Sequence, residues 1–94
     1  MKIKGHEYNF KFKWFAIREF LKMTGLEIGD ISNPTKMTIY AAEMIYCGLL
    51  GGARADKKTL DLTLDDVIDW IEDNPDGIEK AMAQLSEDMP SGEA

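Results

Sequence analysis

Residues 33–52 read NPTKMTIYAAEMIYCGLLGG. How this stretch is read decides the fold. Asn33 suits an N-cap, because its side-chain oxygen can accept from an unpaired N–H of the first turn. Pro34 suits the first helical position, where no N–H is needed. The helix they start runs over about residues 35–50, and within it only Lys36, Thr38 and Glu43 are clearly polar. A helix that is apolar almost all round is either the centre of a core or a face buried against another chain. In so small a domain, full burial from within is hard to arrange, so a partner surface stands beside the core reading. Met37 and Met44 fit both, since methionine fills irregular gaps and suits adaptable interfaces. The Gly51-Gly52 pair is expected to break the helix, and the polar stretch ARADKKTLD to follow as a loop.

On the N-terminal side, Tyr8, Phe10 and Phe12 alternate with Asn9, Lys11 and Lys13. A period of two predicts a half-buried strand. Ile3 between Lys2 and Lys4 predicts a short partner strand, with Gly5-His6-Glu7 as the turn. The expectation is a β-hairpin over residues 2–13, one face aromatic and the other basic. Such a hairpin is marginal alone and must pack on helices. Trp14, Ile17 and Leu21 then recur at helical spacing, with Phe20 beside them, predicting a helix over 14–24. Gly25 can end it in the left-handed conformation. Phe15 falls near the polar arc, either covered by the hairpin or exposed.

On the C-terminal side, residues 62–77 read LTLDDVIDWIEDNPDG and hold six carboxylates. Thr63 is the expected N-cap of a helix over 64–73, with Asp66 three residues on, close to a capping box. Leu64, Val67, Ile68 and Ile71 form its apolar stripe, with Trp70 at the edge. Asp65, Asp66, Asp69, Glu72 and Asp73 fill the other arc. Asn74-Pro75 ends this helix and starts a last one over about 75–86, with Asn74 as its N-cap and Ile78, Met82 and Leu85 as its stripe. The fold class is mostly α: a single domain over 1–86, about four helices with an N-terminal β-hairpin, and a flexible tail over 87–94.

The 94 residues carry a net charge of −6, unevenly placed. Residues 1–22 hold six basic and two acidic side chains, whereas residues 59–94 hold eleven acidic and one basic. A chain so polarised could attract copies of itself head to tail, making a homo-oligomer. The simpler reading is two solvated faces of opposite sign. No apolar run is long enough for a membrane span and the N-terminus lacks the apolar core of a signal peptide, so a cytoplasmic location is expected.

Chemical motifs are sparse. GARADKKT lacks the second glycine of a phosphate loop and follows a helix where it should precede one. EDNPDG resembles the start of an EF-hand loop, but Ala83 stands where the bidentate glutamate is required. One histidine, His6, and one cysteine, Cys47, are too few for a zinc site. Cys47 reads as a packed small hydrophobe and His6 as a solvated turn residue. The aspartate pairs of the acidic helix lie on its wet face, where nothing tunes them for acid–base work. Neither cofactor nor metal is expected, and the chain reads as non-enzymatic. The basic hairpin suggests nucleic acid through Lys2, Lys4, Lys11 and Lys13, but its aromatics and lysines alternate onto opposite faces, whereas a stacking platform needs both on one.

The order of elements resembles the tail assembly chaperones of long-tailed bacteriophages and prophages. The carrying residues are Gly5, Tyr8, Phe10 and Phe12; then Ala16, Ile17, Phe20, Thr24 and Gly25; then Leu62, Thr63, Asp65 and Val67. The resemblance spans roughly residues 3–85 and contains no chemical signature. It implies a helper acting in the cytoplasm of a bacterial host, absent from the finished tail, with the tape measure protein and the tail tube protein as partners. Residues expected to meet a partner are Phe15, Met37, Tyr40, Met44, Tyr46 and Trp70. The acidic surface would keep such a complex soluble by self-repulsion.

Overall fold

The computed structural model describes residues 1–88. Strands β1 (Lys2–Ile3) and β2 (His6–Glu7) form a two-residue antiparallel ladder, Lys2 opposite Glu7 and Ile3 opposite His6. The turn is Lys4-Gly5, both at positive φ (51° and 81°), which matches the twist of a tight hairpin. His6 and Glu7, expected in the turn, are therefore the second strand. Beyond it, Tyr8 still exchanges backbone hydrogen bonds with Met1 (2.7 and 2.8 Å), and residues 9–13 are not part of the pairing. Their alternation survives for another reason: Phe10 and Phe12 are buried beneath an extended segment that lies on a helix.

Helix α1 (Trp14–Thr24) has the expected bounds, and Gly25 ends it at φ 76°, its N–H donating to the Leu21 carbonyl at 2.9 Å. Its buried face is Ala16, Ile17 and Phe20. Trp14, expected in the stripe, is 62% exposed. A short 3-10 turn (Ile28–Ser32) leads to α2 (Pro34–Ile39), whose N-cap Asn33 accepts from the Lys36 N–H at 3.2 Å. Helix α3 (Ala41–Ala55) follows after a break at Tyr40. The long apolar helix is thus two helices, and it does not end at Gly51-Gly52.

The glycines lie inside α3 because the extended segment needs them there. A Cβ at Gly52 would overlap the Asn9 carbonyl oxygen, one at Gly51 the Lys11 carbonyl, and one at Gly48 the Phe10 ring. The Lys11 N–H donates to the Gly48 carbonyl at 2.9 Å. Glycine weakens a helix by about 1 kcal/mol relative to alanine, and here the loss is offset by direct contact of backbone with helix.

Helix α4 (Leu64–Asp73) starts with a full capping box between Thr63 and Asp66. Asn74 closes α4, its N–H donating to the Trp70 carbonyl at 2.8 Å and its side-chain amide to the same oxygen at 3.0 Å. It does not cap the next helix, as expected from the sequence; α5 (Gly77–Asp88) begins three residues later. Glu87 and Asp88, expected in the tail, belong to α5, and Asp88 accepts the Phe12 N–H at 3.0 Å. The rest of the expected tail, 89–94, lies outside the described residues.

Helix α3 is the centre of the fold, touching α1, α2, α4 and α5. Met44, Ile45, Cys47 and Leu49 are fully buried on it. The aromatic side of the core is a chain of rings: Phe10 stacks near Phe12 (centroids 6.4 Å apart), and Phe12 meets Phe20 edge-on at 5.9 Å. Of the two readings of the apolar helix, the core reading holds along α3. Five segments share the work of surrounding it, and the glycines let one of them approach as bare backbone.

A groove between the N-terminal segment and the last helix turn

A groove of about 720 Å³ lies between residues 1–10 and the corner where α4 meets α5. Its apolar lining includes Trp70, Tyr8 and Phe10. Trp70 is half-buried, and Gly77 lets α5 start against its ring, since a Cβ there would overlap the indole. Both signs of charge line the groove: Lys2 and Lys80 on one hand, Glu7, Asp56 and Asp76 on the other. Lys80 and Asp76 are paired at 3.4 Å one helical turn apart. The hydroxyl of Tyr8 donates to Asp61 at 2.9 Å, and that bond holds its proton more tightly than an ordinary phenol. A mixed polar rim around one half-buried indole suits a peptide segment with an apolar anchor.

The six residues expected to meet a partner do not form one surface. Trp70 alone of them lines the groove. Met37 and Met44 are 1% and 0% exposed, so they are core residues and offer nothing to a partner in this fold. The physical reason is the central position of α3, which turns the apolar helix inward. Tyr40, at the junction of α2 and α3, and Tyr46 are half-buried against the core. Phe15 lies elsewhere, beneath the guanidinium of Arg54, 4.5 Å from the ring centroid. Sequence periodicity missed the exposed apolar side chains Trp14, Met23, Ile28 and Ile39, and Ile68, expected in the stripe of α4, is exposed as well. For Trp14 a signal was present: Ala16 shares the face of Ile17 and Phe20, and rotating the stripe to include it turns Trp14 outward.

The hairpin lysines are also divided. Lys4 pairs with Asp66 at 2.6 Å, Lys2 faces the groove, and Lys11 and Lys13 lie beside Arg54. The basic N-terminus and the acidic α4 therefore touch, and part of the charge separation along the sequence is closed within the molecule.

Burial pushes the Cys47 thiol up to about 12, with Glu19 and Glu43 adding to the effect, so thiolate is scarce at neutral pH. Among the described residues, no group of three or more His, Cys, Asp or Glu side chains is placed to hold a metal ion, and no helix is long and apolar enough to cross a membrane. Compared with protein-family models, curated proteins and solved structures, the chain finds no match.

Proposed function

We propose that this chain is a non-enzymatic assembly chaperone of the phage-tail type, holding a segment of a tape measure or tail tube protein in the groove around Trp70. The observation that carries the reading is the groove itself, about 720 Å³ with a half-buried tryptophan in its wall and charges of both signs on its rim. A client segment would place an apolar side chain on Trp70 and polar groups against Lys2, Lys80, Glu7 and Asp76.

The resemblance supplies the client class, and the residues that carry it have physical roles here. Gly5 makes the hairpin turn, Phe10 and Phe12 fill the core, Gly25 ends α1, and Thr63 caps α4. In this reading the protein works in the host cytoplasm and leaves before the tail is complete.

The test uses the two tryptophans. Trp14→Phe leaves Trp70 as the single indole. Titration with a phage tape measure protein and a tail tube protein should shift its emission. The double variant Lys80→Glu, Asp76→Lys swaps the charges of one exposed rim pair and should weaken that binding, with circular dichroism to verify the fold. Absence of binding by both clients, or binding that leaves Trp70 emission and rim dependence untouched, refutes the proposal.

A further inference from the structure

We infer that Lys11, Lys13 and Arg54 form a second binding site, separate from the Trp70 groove, that takes carboxylate side chains of an acidic peptide segment. The three cations come from two elements and line one concavity of about 270 Å³, together with Phe15 and Gly51. Their convergence has a backbone cause. Gly51 has no side chain, so the Lys11 carbonyl rests directly on α3. The alternation that buries Phe10 and Phe12 sends Lys11 and Lys13 the other way, into the solvent-exposed side beside Arg54. Arg54 occupies the last turn of α3, where the carbonyl ends of the helix favour a cation.

Arg54 is also held in orientation. Its guanidinium carbon lies over the Phe15 ring, 4.5 Å from the centroid, a cation–π contact. A contact centred on the guanidinium carbon leaves N–H donors beside it, and their planar fork matches the two oxygens of a carboxylate. Among the described residues none of the three cations is within ion-pair distance of an acid, whereas Lys4, Lys22, Lys36 and Lys80 are. The site is charged and shaped, and no acid among the described residues pairs with it.

Phosphate could use the same donors, and a nucleic acid strand is the competing ligand. Two observations favour the peptide. Arg54 already covers one face of the Phe15 ring, so that face is not offered to a base. Beyond these three cations a polyanion would meet a chain of net charge −6, whereas a short acidic segment places only one or two carboxylates.

The test is fluorescence anisotropy at low ionic strength with two probes, a labelled twelve-residue Gly/Ser peptide carrying two adjacent glutamates and a labelled twelve-nucleotide thymidine strand. The peptide should bind and weaken with salt. The double variant Lys11→Ser, Lys13→Ser should weaken it about tenfold or more, equivalent to ~1.4 kcal/mol. Arg54→Lys keeps the charge but loses the planar fork, and should also weaken binding. Lys57→Ser with Lys58→Ser removes the same charge outside the pocket and should leave affinity within about twofold. Circular dichroism verifies that each variant is folded. Equal losses in the two double variants would mean net charge alone and overturn the site. Binding of the thymidine strand through Lys11 and Lys13 without binding of the peptide overturns the carboxylate assignment.

Discussion

The Asn9 carbonyl lies against the α-carbon of Gly52, closely enough that no side chain fits between them. This contact lays an extended segment on the central helix and sets the position of Phe10 and Phe12 in the core. It also places Lys11 and Lys13 beside Arg54 on the outside. A glycine pair that looks like a helix stop is the seat of the N-terminal segment.

Gly52→Ala is therefore expected to destabilise the protein, although alanine is the better helix former by about 1 kcal/mol. Overpacking against backbone cannot be relieved by a rotamer change, and a net loss of about 1–3 kcal/mol is expected. Urea denaturation of the two proteins measures it. Equal or greater stability of the alanine variant would show that the segment does not seat on α3.

Met44→Asp should abolish cooperative unfolding altogether. The side chain is fully buried, and an unpaired carboxylate there costs several kcal/mol against a total stability of about 5–14 kcal/mol. Tyr40→Asp, at a half-exposed position, should keep a folded spectrum with a lowered midpoint. Thermal melts followed by circular dichroism distinguish them, and a normally folded Met44→Asp protein would contradict the central placement of α3.

Acid should loosen the junction between the hairpin and α4. The Lys4 ammonium, with the Thr63 N–H and hydroxyl, holds the Asp66 carboxyl down at about 2, against 3.8 for an ordinary aspartate. The folded value is depressed, so this contact stabilises fully above about pH 4 and is lost as the pH falls towards about 2. The pair is on the surface, so its effect on global stability is small. Carbonyl-carbon NMR titration of Asp66 should show the low value in the native chain and a higher one in Lys4→Ala. An unchanged titration in the variant would show that Lys4 does not set it.

Cys47 should resist thiol reagents in the native protein and react fully once denaturant unfolds it. Its side chain is completely buried and its thiol is held protonated. Ellman's reagent with and without guanidinium measures this, and rapid native reaction would place Cys47 outside the core.

Much of the fold was legible from local chemistry. Gly25, Asn33-Pro34 and the Thr63–Asp66 box act within one or two turns of backbone, so the residue types alone predict the helix ends they form. The burial of Phe10 and Phe12 follows from a period of two, whichever partner lies beneath. The candidate site was less legible. Trp70 reads as an edge residue, and only the meeting of α4 with α5 at Gly77 makes it a wall of the groove.

The sequence by itself determined the helix starts and stops, the alternating aromatic segment and the acidic outer face of α4. All of these depend on interactions between residues a few positions apart. Tertiary structure alone decided three others: that the apolar helix faces inward, that Gly51-Gly52 continues it, and that Lys4 meets Asp66 while Lys11 and Lys13 come to line one concavity with Arg54. Each is a contact between segments distant in the chain, and a glycine or lysine has the same local propensities whether or not a distant backbone comes to rest on it.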